Sequence, residues 1–352
     1  MIRVLHLVGS DPLVSTSMGV EILSHRTAQL RSAVFRIGRG GDFRSALSAA
    51  ATLRFSPVPF DLIHAWDRDS FLAAIGSGGP VVYTVDSPLS TGESSWLAAS
   101  AAPNIRLVAS STWTATELEL SGVPAAHIET VLPAAILSSE VTTASSRSAL
   151  RAELGLTESD FVVFAPGESV RAANHAEALH AVSILHTLNP RFRLLLWGRG
   201  PMTRGLAELA RRLGHENAVV FTDRDAVSRF ALPELATAAD VALLTATEPA
   251  PSLPIIASAM AGLPVVGFDS RLSRELFPGN IALKVLPPKP RVLARAVLLL
   301  AEDPARLQQL ADAGRAHAVN QYGPAPFRAA YTSIYQELLS DTAIATRGRD
   351  AV

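Results

Sequence analysis

Short apolar runs alternate along this chain with longer amphipathic segments, and the alternation runs through twice. Such a pattern builds βαβ units, whose parallel strands are buried on both faces by crossover helices. In the first half the predicted strands are 3–8, 33–37, 61–65, 81–85, 106–110 and 128–132, with helices over 20–31, 44–54, 68–75 and 113–120. The Ser/Thr-rich stretch 138–148 (SSEVTTASSRS) has little to bury and reads as part of a linker. The alternation then restarts. Strands are expected at 161–165, 192–197, 218–221, 241–244 and 264–268. Helices are expected at 176–188, 202–213, 227–238, 255–261, 291–301, 305–321 and 327–339. The fold class is α/β, with two doubly wound Rossmann-like domains facing a cleft, and ligands in such sheets sit at the carboxyl ends of the strands. The expected boundaries are 1–137 for the first domain, 138–152 for the linker and 153–323 for the second domain. A terminal helix, 324–341, returns to the first domain, and a frayed tail follows at 342–352.

A length of 352 residues agrees with two domains, and 48% hydrophobic residues suffice for two cores. The net charge of −1 argues against binding nucleic acid through a general basic surface. With no cysteine, thiolate metal sites, iron–sulfur clusters and cysteine nucleophiles are excluded. Residues 249–268 are uncharged and long enough to span a bilayer, but Pro249, Pro251, Pro254, Gly262, Pro264 and Gly267 interrupt them. A loop, helix and strand inside a water-soluble domain explain them better, and the first residues read as a buried strand rather than a signal peptide. The expected location is the cytoplasm.

Common cofactor motifs are missing. Gly38-Arg39-Gly40 has Phe43 where a dinucleotide fingerprint needs its third glycine, and there is no P-loop, His-Glu-x-x-His or Gly-x-Ser-x-Gly. The nine histidines show no metal-ligand spacing, so His175, His180 and His186 are expected at the surface or at helix ends. No cofactor and no metal is expected.

Five segments of the second half occur in an order that resembles the family-4-type, or group 1, glycosyltransferases of GT-B fold. They are FVVFAPG at 161–167, LLLWGRGP at 194–201, LPELATAADVALL at 232–244, EPAPSLPIIASAMAGLPVVG at 248–267, and Glu275-Leu276 with VLPPKPRVLARAVLLLAEDP at 285–304. The first half is similar to the family only at MGVE (18–21), DLIHA (61–65) and PVVYT (80–84). The resemblance implies retaining, metal-independent transfer of a sugar from a nucleotide-sugar donor to a glycan or glycoconjugate acceptor, in polysaccharide assembly. Where such an acceptor is lipid-linked, peripheral membrane contact follows, although no strongly basic amphipathic helix stands out.

Transfer of this kind needs amide dipoles or cations on the departing diphosphate and a carboxylate to orient sugar hydroxyls. At the positions that the resemblance assigns to these tasks, the sequence departs from the family. Gly167 is followed by Glu168 rather than arginine, and Ala173 replaces a lysine. Arg171, or Arg199 within the Gly198-x-Gly200 turn, is the substitute cation; the structural alternative for both is a solvated surface arginine. Glu248 matches the first glutamate of the acidic loop and implies a sugar contact; a helix-dipole partner is the alternative. Ala257 takes the ribose-binding position, with Ser258 as its polar neighbour. Asp86 stands where the family has a histidine, as a hydroxyl acceptor or a turn cap. Gly19 keeps a close-approach glycine, either beneath a ligand or merely at a helix start. Two readings follow. One is an active transferase with a degenerate donor site; the other is a catalytically silent relative that binds a sugar nucleotide or partners an active glycosyltransferase.

Overall fold

The computed structural model describes residues 1–9, 14–37, 59–86, 91–136, 144–198, 200–222, 232–247, 250 and 252–349. It divides into two compact units, Met1–Ala135 with Tyr322–Val352, and Ile136–Gln321. The predicted helix 44–54, the Gly38-Arg39-Gly40 turn, Arg199 and Glu248 lie outside the described residues.

The first unit holds a six-stranded parallel sheet in the order β2-β1-β3-β4-β5-β6. Its strands are β1 (Ile2–Val8), β2 (Leu30–Arg36), β3 (Leu62–Ala65), β4 (Val81–Val85), β5 (Ile105–Ala109) and β6 (Ile128–Thr130). Every residue of β3, β4 and β5 is buried, whereas the edge strand β2 alternates toward solvent. Continuous apolar runs therefore mark central strands, where both faces are covered. The helices are α1 (Val14–Ser24), α2 (Arg68–Ile75), α3 (Thr91–Ala99) and α4 (Thr112–Leu120). Asp67 caps α2, accepting from Ser70 N at 2.9 Å, and Ser111 caps α4, accepting from Thr114 N at 3.1 Å.

The second unit repeats the design in the order β12-β11-β10-β7-β8-β9. Its strands are β7 (Phe161–Pro166), β8 (Phe192–Trp197), β9 (Val219–Thr222), β10 (Val241–Leu244), β11 (Val265–Phe268) and β12 (Leu283–Val285). Its helices are α5 (Ala144–Glu153), α6 (His175–Leu188), α7 (Thr203–Arg212), α8 (Leu232–Thr237), α9 (Leu253–Met260), α10 (Arg271–Leu276), α11 (Pro290–Glu302) and α12 (Pro304–Tyr322). The final helix, α13 (Pro324–Arg349), belongs to the first unit. There Tyr335 Oη meets His64 Nδ1 at 2.7 Å, and Asp341 accepts from Arg106 at 2.7 Å.

Several local expectations are corrected. Residues 144–152, within the expected linker, are helical: Arg147 and Arg151 fasten α5 to Asp240 at 2.7 and 2.8 Å. The tail expected to fray from 342 stays helical to Arg349. The first helix begins at Val14 rather than residue 20 and ends at Ser24, so residues 30–32 join β2. Of the two places expected for His175, surface or helix end, it takes the second: it is the first residue of α6 and is 4% exposed. No described helix is long and apolar enough to cross a membrane.

Candidate functional site

In each sheet the strand order reverses once, between β1 and β3 in the first unit and between β7 and β10 in the second. The carboxyl ends flanking such a reversal form a crevice, because the loops leave in opposite directions.

In the second unit, the loop after β7 holds Gly167 at φ +120°, a conformation that penalises side chains. The Gly198–Gly200 turn after β8 crosses it closely. A Cβ on Gly198 would lie 2.5 Å from the Gly167 carbonyl oxygen, and one on Gly200 would lie 2.4 Å from that of Ser169. The glycines of this turn therefore serve backbone-to-backbone contact. Ser169 Oγ donates to Gly198 O at 2.8 Å, Met202 N to Ser169 O at 2.9 Å, and Gly200 N to Thr203 Oγ1 at 2.9 Å. On the other side, Thr245 Oγ1 beyond β10 donates to Ala173 O at 2.9 Å. Asn174, left-handed at φ 55°, donates from Nδ2 to Thr245 O at 3.3 Å. The loop is thus tied to both neighbouring strand ends.

Helix α9 begins beside this loop, with Pro254 Cγ 3.8 Å from where a Gly167 Cβ would stand. Pro254 in its first turn suits a helix start, and Ser252 supplies no side-chain cap. Its first-turn amides and its dipole are therefore directed at the loop's edge, an arrangement suited to an anion. Arg171 is exposed and its side chain makes no hydrogen bond or ion pair with a described residue, so it is free to swing over that edge. Glu168 is half-buried in the same loop. Ser258 does not line the site: it has no exposed surface, and its hydroxyl donates to Pro254 O at 2.8 Å within the helix. Ala257, at the expected ribose position, is also buried. Beneath the loop, His175 keeps Nδ1 without a partner among the described residues, and burial lowers its pKa to about 4.

In the first unit the strand ends hold a polar network that the sequence did not disclose. Burial lowers His6 to about 3; it also lowers His64 well below its usual value, with repulsion from His6 adding to the shift. His64 Nε2 meets Thr84 Oγ1 at 2.8 Å, and Thr84 meets Tyr331 Oη at 2.7 Å. Trp66 stacks on His64 with centroids 4.1 Å apart and donates Nε1 to His6 Nδ1 at 3.1 Å.

Asp86 follows β4 at the rim of this network. Its carboxyl accepts hydrogen bonds from Ser15 Oγ and from Ser110. Burial pushes its pKa up to about 6 against the lowering effect of those hydroxyls. Gly19 is neither at a helix start nor beneath open space. It lies mid-helix in α1, and its missing Cβ makes room for Trp66, whose Cη2 would stand 2.6 Å away. No local signal marks Phe327 or Tyr331 as neighbours of Asp86, because they arrive on α13 more than 200 positions later. Among the described residues, no group of three or more His, Asp or Glu is gathered as a metal site.

No curated protein sequence matches the chain. Solved structures resemble it across nearly its whole length. Anabaena HepE, determined with UDP and glucose, is 18% identical with a TM-score of 0.79, covering 96% of this chain and 100% of its own. A Rickettsia africae glycosyltransferase is 15% identical with a TM-score of 0.75, covering 96% and 98%. Sucrose-phosphate synthase of Thermosynechococcus elongatus is 15% identical with a TM-score of 0.74, covering 97% and 100%. Identities this low establish the shared two-domain GT-B fold. Residues 146–317 match the family model described as glycosyl transferases group 1.

Proposed function

We propose that the chain transfers a sugar from a nucleotide-sugar donor, with retention and without a metal, to a glycan or glycoconjugate acceptor in the cytoplasm. The observation that carries this reading is the second unit's strand-end crevice. There the Gly167 loop is pinned at both flanks, and α9 directs an uncapped first turn at its edge. Negative charge develops on a departing diphosphate, and fixed amide dipoles stabilise it without having to reorganise during the reaction. Anabaena HepE, which shares the fold, has been determined with UDP-glucose.

Arg171 is the described cation available to the diphosphate, with Arg199 as a second candidate and Glu248 as the partner of the donor sugar. Glu168 works against this arrangement, since a carboxylate near the phosphates repels them. That observation favours the second reading, a silent sugar-nucleotide binder or partner subunit, and the two are separable. Purified protein is incubated with UDP- and GDP-sugars in excess EDTA, and nucleotide release and product anomer are read by NMR. Turnover with the donor's anomeric configuration kept supports the transferase. Nucleotide binding with no release for any donor supports the silent protein, and inverted product refutes retention.

A further inference from the structure

The recess at the first unit's strand ends carries a carboxylate, Asp86, that no described cation answers. Asp86 lines it together with Ser15, Ser110, Trp66, Phe327 and Tyr331, and none of its lining residues is basic. The recess encloses about 230 Å³ of free space counting its open mouth, and its floor has room for about one water-sized group. A sugar ring does not fit that floor; a single substituent does. Ser15 and Ser110 already donate neutral hydrogen bonds to Asp86, and Asp86 makes no ion pair with a described residue. A half-buried carboxylate with no counter-charge among the described residues gains from a cation delivered by a ligand. Aromatic side chains around the same point add attraction for a compact cation and little for a neutral hydroxyl.

We propose that this recess receives a primary ammonium group of the acceptor, held by Asp86 among Trp66, Phe327 and Tyr331. Recognition of the ammonium stands on the recess alone; its assignment to the acceptor rests on the transferase reading above. An anionic or phosphate-bearing substituent is disfavoured at the same place by the charge of Asp86. The acceptor class is then an amino-bearing glycan rather than a neutral or phosphorylated one.

The test compares ligands that differ in one feature. Glucosamine, glucose and ethanolamine are titrated into the full chain at neutral pH and followed by ligand-observed NMR. Glucosamine is expected to bind at least about tenfold more tightly than glucose, the scale of one charge-assisted contact. Asp86→Asn, checked for folding by circular dichroism, is expected to abolish that preference. Ethanolamine bound as tightly as glucosamine keeps the ammonium assignment but moves its source to an amino-alcohol head group. Equal affinity for glucosamine and glucose in the unmodified protein overturns the proposal, as does a preference that survives in Asp86→Asn. UDP titrated into the same samples reads the second unit separately, so failure of the ammonium site and failure of the donor site are told apart.

Discussion

Replacing Gly19 by alanine sets two well-measured effects against each other. Alanine in the middle of α1 should stabilise the helix by about 1 kcal/mol, since glycine loses more backbone freedom on folding. The new methyl, however, would stand 2.6 and 2.8 Å from Trp66 Cη2 and Cζ3, and 3.4 Å from Phe327 Cζ. Carbon atoms in contact prefer about 3.5–4.0 Å, so the indole must retreat by roughly 1 Å. It has little freedom to do so. Trp66 is 5% exposed, stacked on His64 and bonded through Nε1 to His6. Overpacking of this kind costs about 1–3 kcal/mol, and loss of the indole hydrogen bond adds about 1 kcal/mol. The net expectation is a destabilisation of about 1–3 kcal/mol, which lowers the first unit's Tm by roughly 3–10 °C. Differential scanning calorimetry measures this, with Gly205→Ala as the control. Gly205 lies within α7 with nothing within 4 Å of its missing Cβ, so alanine there should stabilise slightly. A Gly19→Ala protein more stable than its parent would refute the argument, because Trp66 would then be free to move and the clasp around it would not be rigid.

Other consequences follow from named contacts. Asp240→Asn strips the carboxylate shared by Arg147, Arg151 and the Val162 amide, leaving Arg151, 2% exposed, without its counter-charge. A loss of about 3 kcal/mol is expected in urea unfolding of the second unit. Gly198→Ala should abolish UDP binding, since its Cβ has only backbone to displace at 2.5 Å. Gly155→Ala, at φ +68° in open space, should cost only about 1 kcal/mol and leave binding intact. Acid should weaken the fold. His6, His64 and His175 all have folded pKa values below the ordinary 6.5, so the unfolded chain binds more protons, and their stability contribution is lost as pH falls below about 6.5. Asp86, raised from 3.8 to about 6, acts in the opposite sense, adding stability as pH falls through that window. Three groups against one give a Tm that drops between pH 6.5 and 4, and a flatter profile in His6→Gln.

The strands and the larger helices were legible because their signals are local. β8 and β10 follow the expected residues throughout, since a four- to six-residue apolar run bounded by turn residues has one good use in an α/β chain. Helix α10 was missed because Ser270 and Ser273 close a capping box with serine where glutamate or glutamine is the usual sign. The linker was overextended for a related reason. Serines in α5 suggested a solvated stretch, but the decisive residues are Arg147 and Arg151, whose partner Asp240 lies about 90 positions away. At the site, Gly198 and Gly200 could be read as a turn. That Gly19 accommodates Trp66 could not, because the contact joins α1 to the end of β3. His64 lies within the DLIHA segment. Tyr335, which bonds it, and Tyr331, whose ring packs on it, are set one helical turn apart on α13, with nothing nearby in sequence to announce them.

The central claim is that the loop after β7 and the start of α9 form the nucleotide site. Hydrogen exchange of the full chain with and without saturating UDP, in excess EDTA, tests it most directly. Slowed exchange at amides 167–174 and at those of Ser252, Leu253, Ile255 and Ile256, lessened in Arg171→Ala, is the expected result. Binding of UDP with no protection in those segments would contradict the account.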